Sequence, residues 1–307
     1  MRCGFTTLVM VSSNADQLTR FYGDLGWHMK TIAVGLEERE FWGAPASTEY
    51  AHFLTAPNAD CSILILKVTD DTPLLRPRDT PLISPGGIFD INMRTVNAEF
   101  AVDFLQSHNW RLLMPPIPWQ FGASSVKEFL VMQDDGIVLA VMERVSPPLE
   151  GITFDRMSDV FNSTQMVQDI ERSTAFYEEI GFPKFVDFRG NMPGDGAHVL
   201  DLQDYSPQES EVHLTISHPE QKMEGSIELI SVPNIERRSL ERHQFGRGLL
   251  ALRIPTADSN ALYNKITSSP LDITIAAEMR ERTIAGQKQR CFAILSPDGA
   301  RLEFYER

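Results

Sequence analysis

The chain has 307 residues, of which 42% are hydrophobic and 23% charged, and a formal net charge of −14. Proteins that bind duplexes displace counterions with clustered Lys and Arg. An acid excess of this size therefore sets nucleic acid aside as a partner and disfavours an anionic membrane surface. The length leads to an expectation of two domains, each large enough for its own core.

No stretch approaches the roughly 20 apolar residues of a membrane span. The opening Met1-Arg2-Cys3-Gly4-Phe5 leads into a strand-like apolar run without a signal-peptide cleavage pattern, so a cytoplasmic location is expected. Cys3, Cys61 and Cys291 are odd in number, far apart and free of any CxxC spacing, which argues against a disulfide framework or a zinc ribbon.

The first predicted helix follows an apolar run over Phe5 to Val11. It occupies Asn14-Ala-Asp-Gln-Leu-Thr-Arg-Phe21-Tyr22-Gly-Asp-Leu-Gly26-Trp27, with a cap at one end and a glycine at the other. Thr19, Phe21, Tyr22 and Gly26 recur 155 residues later as Thr174, Phe176, Tyr177 and Gly181, in a segment capped by Asp169 and preceded by the apolar run Phe161 to Val167. The strand Ser62 to Val68 matches Ser226 to Val232, and Asp135-Gly136 to Arg144 matches Asp298-Gly299 to Arg307. Each Asp-Gly pair is a hairpin signal. Three collinear matches indicate an internal duplication.

Each half holds a second unit. One starts at Gly87 and carries a helix over Ala98 to His108; the other starts at Gly248 and carries one over Asp258 to Ser268. The Pro-, Arg- and Asp-rich stretches 69–86 and 233–247 read as connections, and Ser146 to Gly151 reads as the boundary between halves. The expected fold is α+β: four βαβββ modules forming two cupped mixed sheets, with domains 1–147 and 148–307.

The phrases Val167 to Phe182 and Ser296 to Phe304 resemble the opening-helix and closing-strand phrases of the vicinal-oxygen-chelate superfamily, which includes glyoxalase I, extradiol dioxygenases and bleomycin-resistance proteins. The resemblance implies a cup built by two modules. It also implies a metal held by ligands from the opening strand, seven residues before the helix cap, and from the closing strand. Carried onto this chain, the opening positions are Thr7, Asp90, Asn162 and Leu249, and the closing ones Leu64, Ala140, Glu228 and Glu303. The first half then reads as a scaffold copy and the second as the functional one. With Leu249 and Asn162 in place of good ligands, the metal set is broken. No cofactor is assigned beyond the divalent metal that the resemblance allows, which Glu228, Glu303 and His213 would hold.

Alternation along Glu211 to Ser217 puts His213 and Thr215 on a polar face. The expected pocket joins Glu228, Glu303 and His213 as acid/base groups, with Asn162, Thr164, Thr215 and Tyr305 binding substrate. Opposing this, each glutamate could be a strand-edge carboxylate paired with an arginine, and His213 an outward, solvated side chain. His198, His218 and His243 read as surface residues, Asp90 as a local hydrogen-bonder or ligand contact, and Gly194-Asp195-Gly196 as a hairpin tip. Trp119 reads as part of an ordered surface loop, a lid over the first-half cup being the alternative.

The expected function is isomerase, epimerase or lyase chemistry on an oxygenated small molecule. The alternatives are a metal-free binding or sequestering protein and a metal-dependent dioxygenase. The partner is a small organic molecule, and the halves are expected to close within one chain, a homodimer being the other arrangement.

Overall fold

Four times along the chain an apolar strand runs into a short helix and returns through antiparallel strands. The computed structural model describes residues 4–57, 60–241 and 243–306, so Cys3 and Arg307 lie outside the described residues. Module one comprises β1 (Thr7–Ser12), α1 (Ala15–Asp24), β2 (His28–Ala33), α2 (Leu36–Trp42), β3 (Tyr50–Thr55) and β4 (Ser62–Lys67). Module two comprises β5 (Asp90–Thr95), α3 (Ala98–Ser107), β6 (Arg111–Leu112), β7 (Ile117–Phe121), β8 (Ser124–Met132) and β9 (Val138–Ser146). Module three comprises β10 (Met157–Met166), α4 (Ile170–Glu179), β11 (Lys184–Gly190), β12 (Val212–Ser217) and β13 (Ser226–Ser231). Module four comprises β14 (Gly248–Thr256), α5 (Ser259–Thr267), β15 (Thr274–Ile284), β16 (Gln287–Leu295) and β17 (Arg301–Glu306).

Side-chain caps start three of the module helices. Asn97 accepts from Phe100 N, Asp169 from Glu171 N and Arg172 N, and Asp258 from Ala261 N. Asn14 makes no such bond and instead pairs with the Gln17 side chain. Helices α1, α3, α4 and α5 lay their apolar stripes on one face of the sheets: Phe21 and Tyr22 of α1, and Phe176 and Tyr177 of α4, are buried in the main core. The other face of each sheet is left to form a cup. Among the described residues no helix is long and apolar enough to cross a membrane.

The strands form two mixed sheets, as expected. One has the order β15-β16-β17-β14-β1-β4-β3-β2 and the other β11-β12-β13-β10-β5-β9-β8-β6, with β7 alongside β8. The pairing of modules differs from expectation. Module one joins module four through antiparallel β1 and β14, and module two joins module three through antiparallel β5 and β10. Each sheet therefore crosses the division at 147/148. Connection length supplies a reason: the link from β9 to β10 (147–156) is the shortest between modules, and short links favour neighbours in space. The longer links cross between the sheets and bond to each other, Leu75 N donating to Arg247 O and Arg247 N to Pro73 O.

The two Asp-Gly turns clasp one sheet to the other. Asp135, between β8 and β9, accepts from the Ser12 hydroxyl at 2.5 Å and the Ser13 hydroxyl at 2.9 Å, and lies 3.1 Å from Arg247 Nη1. Asp298, between β16 and β17, accepts from Gln168 N and the Ser173 hydroxyl, both at 2.9 Å.

Candidate active site

Residues of one parity on β5, β8, β9, β10, β12 and β13 face the hollow of the second sheet. The central row is Asp90, Thr164 and Glu228, set side by side by the registers Thr164↔Asp90 and Thr164↔Glu228. The Thr164 hydroxyl donates to Glu228 Oε2 at 2.9 Å, and Thr164 N donates to Asp90 Oδ1 at 3.3 Å. Asn92 Nδ2 ties the floor together, reaching Asp90 Oδ1 at 3.0 Å, Asn162 Oδ1 at 2.6 Å and the Thr164 hydroxyl at 3.0 Å. Glu128 of β8 supplies a third acid.

Around these polar groups the wall is apolar, with Leu130, Phe161, Leu214 and Ile230 among its residues. The hollow encloses about 930 Å³ of empty space, its open mouth included. Trp119 of β7 covers it, packed on Val126 and on Val199 of a 3-10 turn, Asp195–Leu200. The Trp119 indole N–H donates to Glu128 Oε2 at 2.9 Å.

Asp90 and Glu128 are buried and Glu228 is half-buried, and loss of water is the main force on each. It pushes Asp90 up to about 7, against hydrogen bonds from Thr164 and Asn92. Glu228 is pushed up to about 7 by burial and then by the charge of Asp90. Glu128 is pushed up to about 8 by burial, Glu228 and Asp90. Groups placed this way exchange protons near neutral pH, where general acid/base catalysis is most effective.

The centre of the other cup is filled by side chains. Its matching positions follow from register: Arg253 pairs with Glu303 as Asn92 pairs with Ala140. Glu303 is fully buried between Arg253 Nε at 3.2 Å and Arg301 Nε at 3.0 Å, and accepts from Trp42 Nε1 at 3.0 Å. Helix α2 delivers Trp42 and Phe41 into the hollow, where they join the apolar cluster of β1, β4 and β14. Register also places Ala251, rather than Leu249, opposite Val9 at the opening position of module four.

The expected pocket is thus divided. Glu228, Asn162 and Thr164 lie together in one cup, beside Asp90. Glu303 lies in the other sheet, because the modules pair across the halves. It takes the arginine-paired role, doubly. Tyr305 goes with it, its hydroxyl 2.9 Å from the Thr6 hydroxyl and its ring under Arg253. His213 and Thr215 are on the wrong face of β12. Val212, Leu214 and Ile216 line the cup, while Thr215 meets Thr174 of α4 and His213 pairs with Glu211 at 3.5 Å. A metal set of Glu228, Glu303 and His213 is therefore not assembled.

The first half is more than a scaffold, since it contributes Asp90, Asn92, Glu128 and Trp119 to the site. Trp119 is a buried cover rather than a surface loop. The Gly194 to Gly196 segment begins a 3-10 turn in place of a hairpin tip. His198 and His243 are exposed as expected, but His218 is buried, its Nδ1 accepting from Glu220 N and Lys222 N. Glu128, Arg94 and Arg144 were not anticipated. Glu128 had a signal, being a lone charge on the face of β8 otherwise made by Val126, Leu130 and Met132.

No protein-family model matches the sequence, and no curated protein matches it. Solved structures do. Glyoxalase I from Zea mays superimposes with a TM-score of 0.66 at 13% identity, over 99% of this chain and 92% of that one. A candidate dioxygenase from Bacillus subtilis gives 0.59 at 14% identity, over 99% and 85%. The fold is that of the vicinal-oxygen-chelate proteins. In the cup of the second sheet the four positions that the resemblance assigns to metal ligands hold Asp90, Ala140, Asn162 and Glu228. Ala140 offers no donor atom, Asn162 is committed to Asn92 and Ser226, and among the described residues no group of three or more His, Cys, Asp and Glu could hold a metal ion. The residues present do not fit a catalytic metal with three good protein ligands.

Proposed function

We propose that the chain is an enzyme acting on small oxygenated organic molecules by proton transfer, an isomerase, epimerase or lyase whose acid/base pair is Asp90 and Glu228. One observation carries this reading: two carboxyls flank Thr164 inside an apolar hollow, Asp90 buried and Glu228 half-buried, each pushed up to about 7 chiefly by loss of water. With a carbonyl compound in the cup, ionised Glu228 would take the proton from the carbon beside the carbonyl, and protonated Asp90 would give its proton to the oxygen as the enol forms. Return of a proton to either carbon completes an isomerisation or epimerisation. Loss of a β-substituent completes a lyase reaction.

Proton exchange tests it directly. A panel of ketones and 2-oxo acids incubated in D2O should exchange the proton beside the carbonyl in the presence of the protein, followed by NMR. Glu228→Gln and Asp90→Asn should each slow that exchange by about 100-fold or more. Wild-type protein that exchanges nothing on the panel, or variants that match wild type, would sink the reading. A second reading, sequestration without turnover, is favoured by the apolar lining and the Trp119 cover. Tight binding without exchange would support it.

A further inference from the structure

The proton-transfer reading leaves two cations in the wall of the cup unused. Arg94 has partners: its Nη2 lies 3.0 Å from Glu224 Oε1, its guanidinium sits 3.8 Å over the Phe161 ring, and Asp159 also acts on it. Arg144 does not. It projects from β9 on the same face as Met142, lines the hollow, and is close enough to Arg94 to lower that residue's pKa. Its Nε is buried without a hydrogen-bond acceptor.

The acids nearby do not answer Arg144. The neighbouring Glu143 is turned to Ala98 N and Lys127. Glu128 is bonded to Trp119 and feels the other two acids. A partly desolvated guanidinium beside a second one is costly unless an anion comes to it, and its planar fork suits a carboxylate. Glu224 and Asp159 both act on Arg94, so the fork left open is that of Arg144, and its size and planarity match one carboxylate group.

Resting on the reading of this cup as the reaction site, we infer that the molecule it takes is an organic carboxylate. Arg144 holds the carboxylate at the mouth with Arg94 beside it. The apolar body lies against Trp119, Phe161 and Leu214, and the reacting oxygen reaches the Thr164 row.

Pairs that share an apolar body and differ at the carboxylate test this: trans-cinnamate against cinnamamide, and phenylpyruvate against 1-phenylpropan-2-one, by calorimetry on the full chain. Wild-type protein should bind each carboxylate at least tenfold more tightly than its neutral partner, and Arg144→Gln should erase that preference. Ligand-free Arg144→Gln should melt at or above the wild-type temperature, because the arginine has no partner to lose; a lower melting temperature would mark it as structural and overturn the inference. Equal binding of both members of a pair, a preference surviving Arg144→Gln, or no binding of any carboxylate at millimolar concentration would overturn it too. The two readings fail separately. An Arg144-dependent preference without proton exchange leaves the carboxylate site standing and removes the chemistry. Exchange on the neutral ketone without a charge preference does the reverse.

Discussion

Trp119 Nε1 donates to Glu128 Oε2 at 2.9 Å, so the cover of the cup hangs from one of the acids that line it. The bond is kept when the acid is neutral, since a protonated carboxyl still offers a carbonyl oxygen. Glu128, pushed up to about 8 by burial and its neighbours, is therefore held as the acid form over much of the neutral range.

This has a pH signature of definite sign. Between the unfolded carboxyl value near 4.5 and the folded value of about 8, the native state keeps a proton that the unfolded chain has lost. Stability must fall as pH rises through that window, by up to about 1.4 kcal/mol per pH unit for one such group. Glu128→Gln keeps the acceptor for Trp119 and removes the titration. It should melt close to wild type at pH 5 and several degrees higher at pH 9, and parallel melting curves across that range would contradict the assignment.

Glu303 should behave as a structural ion. Glu303→Ala leaves Arg253 and Arg301 buried without their counter-charge and is expected to cost about 3–5 kcal/mol in denaturant unfolding. Cinnamate binding to the folded variant should stay within about twofold, because the other cup is untouched. A large loss of affinity at unchanged stability would return Glu303 to the site.

Gly136 is needed for space as well as conformation. Its φ is +76°, and a Cβ there would lie 2.4 Å from the Arg76 carbonyl oxygen. Gly43 has a similar φ of +70° with open space around it. Gly43→Ala should cost about 1–2 kcal/mol for the left-handed backbone alone, and Gly136→Ala clearly more, with thermal melts separating the two.

The crossed pairing predicts which piece of the chain can stand alone. A fragment spanning 87–232 contains both modules of the second sheet and should melt cooperatively. A fragment spanning 1–147 contains one module from each sheet and should not. Cooperative unfolding of the latter alone would overturn this account of the pairing.

The repeated helix phrase and the Asp-Gly turns made the modules legible, because caps, glycines and alternation are local. Module partners were not legible, since Glu228 and Glu303 look equivalent until it is known that β13 and β17 lie in different sheets. The face of β12 was misjudged for a related reason. Its apolar residues line a covered hollow while buried Thr215 packs on α4, so polarity alone assigned inside and outside the wrong way round.

Each hollow draws one module from either half of the duplication. Two separate half-length subunits assembled in the same way would be bound by twofold symmetry to carry two identical hollows. Covalent fusion lifts that obligation. A tryptophan and an arginine can fill one chamber while the other keeps its hollow and its row of acids.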